Sequence, residues 1–216
     1  MQTLPQTGAG QLMADQRGGL AASALDPDPM LQFRRWFDEA LSSNLPQPEA
    51  MTIATASRDG RPSARMVLLK GVDDRGFEFF TNYLSRKGRE LQDNPHAALV
   101  FHWESLGRQV RVEGTVVRLS SEESDAYFRS RPLENQLSSW ASMQSELTTR
   151  EELDRKFEEV KQLYRGRPVP RPQHWGGYRV VPERMEFWQR RFARMNDRVL
   201  YARRLDGTWS RAHLAP

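Results

Sequence analysis

The chain has 216 residues, enough for one domain with a sizeable core, and its 32 Lys and Arg against 28 Asp and Glu give a formal charge of +4. It has no cysteine, which excludes disulfides, thiolate catalysis and thiolate metal sites, and its four histidines show no metal-ligand spacing. The charge is spread along the chain with no basic tail, no apolar run approaches membrane-spanning length, and the N-terminus lacks a signal-peptide core. These features fit a cytoplasmic protein with an anionic small-molecule ligand, with no metal, nucleic acid or membrane among its partners.

Residues 1–26 are rich in Gly, Ala, Gln and Ser and lack periodicity, so they read as a flexible N-terminal arm before a single domain over 27–216. Asp28 before Pro29 predicts a helix start, and Phe33, Trp36, Phe37, Ala40 and Leu41 give that helix an apolar face. Strands are predicted over 51–56, 65–69 and 77–81, with turns at Asp59-Gly60 and around 73–76. A short helix over 86–91 stops before Pro95, and strands follow over 97–103 and 108–118. In the longer one Gln109, Arg111 and Glu113 share one face, Val110 and Val112 the other.

Ser120 with Glu123, and Thr149 with Glu152, read as capping boxes that open two helices. In the second helix Leu153, Phe157, Val160 and Tyr164 form a stripe that reads as core. Pro168, Pro170 and Pro172 form a stiff connector. Strands return over 177–181 and 184–188, then a hairpin over 199–209 turns at Asp206-Gly207. Many strands with short turns, and helices inserted rather than alternating, predict a mainly β, α+β fold: an antiparallel barrel with peripheral helices. A doubly wound nucleotide fold would need alternating strands and helices and a glycine-rich first turn.

The chemistry concentrates in a basic strand and a basic loop. Arg65 and Lys70 lie on the first, Arg86 and Lys87 on the second, interleaved with hydroxyl and apolar residues. No glycine-rich phosphate loop is present, so side chains would have to hold any phosphorylated ligand. Arg65 and Lys70 have opposite strand parity, so a bulge or a site at the strand's end is needed to bring them together. Taken singly, Arg86 and Lys87 read as solvated helix-start charges and Trp188 as core.

The ordered set of Arg65-Met66-Val67-Leu68-Leu69-Lys70, Phe80-Thr81-Asn82, Ser85-Arg86-Lys87-Gly88, Arg108-Gln109-Val110, Tyr127 to Pro132, Gln144-Ser145, Trp175-Gly176-Gly177-Tyr178, Glu186-Phe187-Trp188-Gln189 and Leu214-Ala215-Pro216 resembles the pyridoxamine 5′-phosphate oxidase family from about residue 28 to the end. The resemblance implies an FMN-binding split barrel that works as a homodimer, with flavin where two subunits meet. It implies oxidation of pyridoxine or pyridoxamine 5′-phosphate to pyridoxal 5′-phosphate by molecular oxygen, giving hydrogen peroxide, and ammonia from the amine. It implies that Arg65, Arg86 and Lys87 hold the FMN phosphate. Met66, Val67, Leu68, Lys70, Phe80, Thr81, Gln109, Gln144, Ser145, Trp188 and Arg198 complete the implied cofactor set. Lys70, Tyr127, Arg131 and Asn135 would hold the substrate phosphate, with Arg194 and Asn196 as the catalytic pair over the substrate ring. Charged and hydroxyl donors suit a phosphate, and Gln109 and Gln144 suit the mixed donor and acceptor edge of an isoalloxazine.

The chain departs from the family pattern mainly on the substrate side. Asn196 stands where the family has histidine, Asn135 where it has serine, and His213 where it has arginine before the terminal Leu-Ala-Pro. The Arg-x-x-Tyr arm element is missing from 13–17. Two other readings follow: a split-barrel flavin oxidase with a different, phenazine-type substrate, or a non-catalytic binder of FMN or pyridoxal phosphate.

Overall fold

The computed structural model describes residue 20 and residues 24–216. Five helices, α1 (Pro29–Ser42), α2 (Arg86–Asp93), α3 (Ser121–Ser130), α4 (Leu133–Ala141) and α5 (Arg150–Leu163), surround one antiparallel sheet. Its strands are β1 (Ala50–Ala56), β2 (Pro62–Leu68), β3 (Gly71–Asp73), β4 (Gly76–Asn82), β5 (His96–Trp103), β6 (Arg108–Arg118), β7 (Trp175–Gln189), β8 (Asp197–Arg203) and β9 (Trp209–His213). The order is β2-β1-β5-β6-β7-β4-β3, with β8 on β7 and β9 on β8.

Strand β7 divides this sheet. Its first half pairs with β4 up to Val180 and its second half pairs with β8 from Arg184, while β6 runs along its other edge from Tyr178 to Gln189. The predicted pair of strands over 177–181 and 184–188 is therefore one continuous strand. Pro182 lacks an N–H for a ladder, but it falls opposite Gly114 at a register shift, where one extra residue is absorbed. A Cβ at Gly114 would lie 1.9 Å from the Val181 carbonyl oxygen, so only glycine lets the strands close there. At the other end the chain leaves β2 with Leu69 N–H on the Glu49 carbonyl and Lys70 N–H on the Glu78 carbonyl. That step carries it from the edge of β1 to the edge of β4, and curls the sheet towards a barrel.

Helix α1 plugs the curl. Asp28 caps it by accepting from Met30 N–H at 2.8 Å, as its sequence predicts. Phe33 then meets Phe77 edge-on at 4.8 Å and Phe101 at 4.9 Å, and Trp36 meets Phe187 edge-on at 5.2 Å. Leu41, expected on the same face, is exposed. A second, smaller core of Phe128, Leu137, Val169 and Trp175 forms under α3, α4 and α5, and the Phe157, Val160 and Tyr164 stripe packs on it. Ser120 makes the full capping box, whereas Thr149 supplies only its own half. Helix α4 and the three-residue β3 were not anticipated.

The expected arm over 1–26 falls largely outside the described residues. Where it is described, it docks: Leu25 is buried, Arg211 donates to its carbonyl, and Tyr201 Oη donates to the Asp26 carbonyl at 2.8 Å. The packed body thus begins before residue 27. Leu25→Ala should lower unfolding free energy by about 2–5 kcal/mol in urea denaturation, the usual cost of truncating a buried leucine. Deletion through Asp26 should cost at least as much.

Candidate functional site

The predicted site residues fall into three groups. The first surrounds the start of α2. Ser85 caps that helix, and Gly88 allows its first turn to close on the Tyr83 carbonyl, which a Cβ would approach to 2.1 Å. This closure turns Lys87 inward, so that it is 5% exposed rather than a solvated helix-start charge. Its Nζ donates to Thr81 Oγ1 at 2.8 Å, Gln144 Oε1 at 2.9 Å and Ser85 Oγ at 3.2 Å. All three acceptors are neutral, and among the described residues no carboxylate pairs with Lys87. Burial, with help from the Arg65 charge, pushes its pKa down to about 8. Arg86 N–H donates to Ser145 Oγ at 3.2 Å, which brings Ser145, at φ 74°, to the same place.

Arg65 joins this group through a carboxylate that sequence reasoning missed. Glu90, buried on α2, accepts from Thr55 Oγ1 at 2.5 Å, Ser63 Oγ at 2.7 Å and Arg86 Nε at 2.9 Å, and lies 3.5 Å from Arg65. Burial alone would raise its pKa; those hydrogen bonds and the Arg65 charge override that and hold it at about 2. The spacing of Arg86 and Glu90, four apart on a helix, was the available signal. Met66 points to the opposite, exposed face of β2, while Val67 packs partly on the core and Leu68 is half-buried.

The second group lines a cavity of about 370 Å³. Lys70, Phe80 and Tyr127 border it with Glu78, Glu123 and Arg75. Phe80 and Thr81 are neighbours on β4 and so face opposite sides, which separates this cavity from the Lys87 cluster. The parity question for Arg65 and Lys70 is answered the same way: Lys70 lies beyond the end of β2 and belongs to the cavity, not to the Arg65 group. Arg131 stands beside it, its guanidinium 4.5 Å over the Trp175 ring and its Nη1 2.7 Å from Ser139 Oγ. Tyr127 and Trp175 lie parallel at 6.2 Å. Burial raises the Tyr127 pKa, so its phenol remains a donor. Asn135 is exposed in the first turn of α4, and its carbonyl accepts from Ser139 Oγ at 3.0 Å.

The third group is a row across three strands. Gln109 pairs with Trp188, and Trp188 with Arg198. Arg198 is locked by the buried Glu186, with Nε at 2.8 Å and Nη2 at 3.1 Å, and its Nη1 holds the Ala215 carbonyl at 2.9 Å. These bonds to Glu186 push the Arg198 pKa up. The preceding loop places Ala193 and Arg194 in left-handed backbone at φ 54° and 62°, with Arg194 exposed. Asn196 Oδ1 accepts from Arg191 N–H at 3.0 Å and closes the loop. Among the described residues no hydrogen bond or ion pair joins this row to the Lys87 cluster.

Chemically, the first group offers two guanidiniums and several hydroxyls around a buried ammonium with no carboxylate partner among the described residues, the donor set of a phosphate dianion. The second adds the cations Lys70 and Arg131, a phenol and an aromatic wall, with the carboxylates of Glu78 and Glu123 on the same border. The third adds amide, indole and guanidinium donors.

Residues 37–164 match the family described as pyridoxamine 5′-phosphate oxidase, and residues 175–216 match the one described as pyridoxine 5′-phosphate oxidase C-terminal dimerisation region. The chain is 60% identical over 201 residues to the pyridoxine/pyridoxamine 5′-phosphate oxidase of Rubrobacter xylanophilus, covering 93% of this chain and 92% of that protein. It is 54% identical over 200 residues to the protein of the same name from Cupriavidus necator, covering 92% of this chain and 94% of that one. Among solved structures, PhzG from Burkholderia lata in complex with tetrahydrophenazine-1-carboxylic acid superimposes with a TM-score of 0.84 at 35% identity, covering 88% of this chain and 94% of that one. Among the described residues no helix is long and apolar enough to cross a membrane.

Lys87 makes the ligand-free protein less stable than it could be. Its pKa of about 8 lies below the ordinary 10.5, so between those values the unfolded chain binds a proton that the folded chain does not. Wild-type stability should therefore rise with pH across that window, and below it the cost of the buried charge is fully present. Lys87→Met should raise the urea midpoint of the ligand-free protein at pH 7, and this advantage should shrink as pH rises from 8 towards 10.

Proposed function

This chain belongs to the pyridoxamine 5′-phosphate oxidase family, and on that premise we propose that it is a cytoplasmic, homodimeric, FMN-dependent oxidase that converts pyridoxine or pyridoxamine 5′-phosphate to pyridoxal 5′-phosphate with dioxygen as acceptor. The observation that carries the cofactor is Lys87: a buried ammonium held by three neutral oxygens, which an incoming phosphate would neutralise. Arg65 and Arg86 flank it, and Thr81, Gln144 and Ser145 lie within the same hydrogen-bonded cluster. This donor set fits the terminal phosphate of FMN and the polar edge beside it.

When bound, FMN supplies the redox chemistry, taking two electrons from the vitamer and passing them to dioxygen to give hydrogen peroxide. The chain's own residues bind and orient. Lys70, Tyr127 and Arg131 hold the substrate phosphate, with Asn135 beside them, and Phe80 walls the cavity against water. Arg194 reaches over the substrate ring, and Asn196 offers a hydrogen bond there without the charge a histidine can carry. Gln109, Trp188 and Arg198 lie on a row apart from the Lys87 cluster, which supports a site closed by a second copy of the chain. The dimerisation match over 175–216 covers that row's β7 and β8 residues.

A phenazine-type oxidase is the second reading, favoured by the likeness to PhzG and by Asn135 and Asn196. Titration of the apoprotein with FMN, followed by peroxide release from pyridoxamine 5′-phosphate, pyridoxine 5′-phosphate and dihydrophenazine carboxylates, decides between them. No FMN uptake defeats both, and uptake without peroxide leaves a binder. FMN affinity should fall as pH rises above 8, because the neutral Lys87 amine must regain a proton to meet the phosphate.

Arg194→Ala should lower kcat by tenfold or more with FMN affinity nearly unchanged. Asn196→His should raise kcat/KM for the phosphorylated vitamers; a tenfold gain equals about 1.4 kcal/mol of transition-state stabilisation. One ring nitrogen can still accept from Arg191 N–H while the other faces the site. A silent Arg194→Ala in an active protein would place the reacting ring elsewhere.

A further inference from the structure

We propose that Glu90 is a positioning residue for the FMN phosphate: one buried carboxylate bridges Arg65 and Arg86 from behind and sets the net charge of the site to match a dianion. The inference rests on the FMN reading above. Three elements converge on this carboxylate. Thr55 on β1 and Ser63 on β2 are cross-strand partners, and both hydroxyls donate to Glu90 Oε2, at 2.5 and 2.7 Å. Arg65 donates in turn to Thr55 Oγ1 at 2.5 Å and to Ser63 Oγ, closing a ring. Arg86 spends only its Nε on Glu90 Oε1, at 2.9 Å. Its two terminal nitrogens have no partner among the described residues, so the edge that suits a phosphate is left open.

The charges also close. Arg65, Arg86 and Lys87 contribute three positive charges, and Glu90, the one carboxylate of the cluster among the described residues, subtracts one. The remaining two match the charge of about −1.5 to −2 on a phosphate monoester near neutral pH. Two opposing effects decide what removing the carboxylate does. A site of higher positive charge would attract phosphate more strongly. Against this, Arg86 is largely exposed, with a side chain 61% accessible, and would lose the only bond that orients its guanidinium. Arg65 would lose the acceptor that organises both of its hydroxyl partners. Screening weakens the charge effect at an exposed guanidinium, whereas a long arginine side chain freed from its one orienting bond regains its rotamer freedom. Orientation wins, and affinity falls.

The test compares FMN with riboflavin, which lacks the phosphate, by quenching of flavin fluorescence in the apoprotein. Glu90→Gln keeps the shape, but its amide nitrogen or oxygen must face the wrong partner at one end. It should weaken FMN about 10- to 100-fold and leave riboflavin affinity within about twofold of wild type. Ser63→Ala removes one strut and should give a smaller, equally FMN-selective loss of about three- to tenfold. Glu90→Asp, which retains the charge on a shorter stem, should restore part of the FMN affinity lost in Glu90→Gln. Equal losses for FMN and riboflavin would reduce Glu90 to a fold-stabilising residue and overturn the proposal. Tighter FMN in Glu90→Gln would overturn it too, because the carboxylate would then compete with phosphate. If Glu90→Gln does not fold, the Ser63→Ala result decides alone, and no FMN-selective loss there overturns the proposal. Wild-type apoprotein that binds FMN no tighter than riboflavin overturns the phosphate-site reading itself, which separates that failure from a failure of Glu90.

Discussion

A charged amine inside a folded chain costs free energy unless something of opposite sign sits beside it. Among the described residues Lys87 has hydroxyl and amide oxygens for neighbours and no carboxylate partner, although Glu90 lies one helical turn away on the same helix. The two cations that open α2 also face the positive end of its dipole, where acidic residues would stabilise the helix. The chain thus accumulates positive potential at one helix start and commits its nearest carboxylate to the arginines. Such an arrangement weakens the empty fold and strengthens it once an anion arrives, by the ordinary linkage between binding and stability.

The divided sheet gives this charge its setting. Because β7 carries β4 on one half and β8 on the other, one strand supplies both the wall behind Thr81 and the row through Trp188 and Arg198. Thr81 and Phe80 then separate two kinds of chemistry across the thickness of β4: a polar cluster for the proposed cofactor phosphate, and an aromatic-walled cavity for the proposed substrate. The apolar plug of α1 lies in the main core, whereas Phe80 and Tyr127 both border the cavity and pack on the second core, so there stability and the proposed ligand chemistry share residues.

Much of this was legible because its causes are local. Asp28 and Ser120 announce helix starts through bonds made within three residues, and the alternation of Val110 and Val112 with Gln109, Arg111 and Glu113 specifies the faces of β6. The features that escaped depend on pairing. Pro182 looks like a strand break until Gly114 is placed opposite it. The three residues of β3 are too few to show a period. Helix α4, which begins straight after Pro132 without a side-chain cap, gives no start signal. The motif-bearing residues could be named, yet the ring through Glu90 requires knowing that Thr55 lies across from Ser63, which only the strand register supplies.

The loop over 191–196 shows how the chain holds a conformation it would not choose by itself. Left-handed backbone at Ala193 and Arg194 costs each residue roughly 1–2 kcal/mol relative to helical or extended geometry. The bond from Arg191 N–H to Asn196 Oδ1 and the ion pair of Arg191 with Asp197 at 2.7 Å tie the loop's two ends. Leu214 N–H on the Arg198 carbonyl and Arg198 on Ala215 then fasten the following strand to the terminal residues. Asn196 therefore does two things at once: it closes the loop with its oxygen, and it leaves a neutral amide where a titratable ring would bring a proton. The loop's shape survives that exchange because it needs only an acceptor at this position. In the proposed site, an amide at this position neither gains nor gives up a proton near neutral pH, as a histidine there could. Shape and proposed reactivity therefore make different demands at this residue: the loop needs an acceptor, which Asn196 supplies, and the proposed chemistry would need a charge, which it does not.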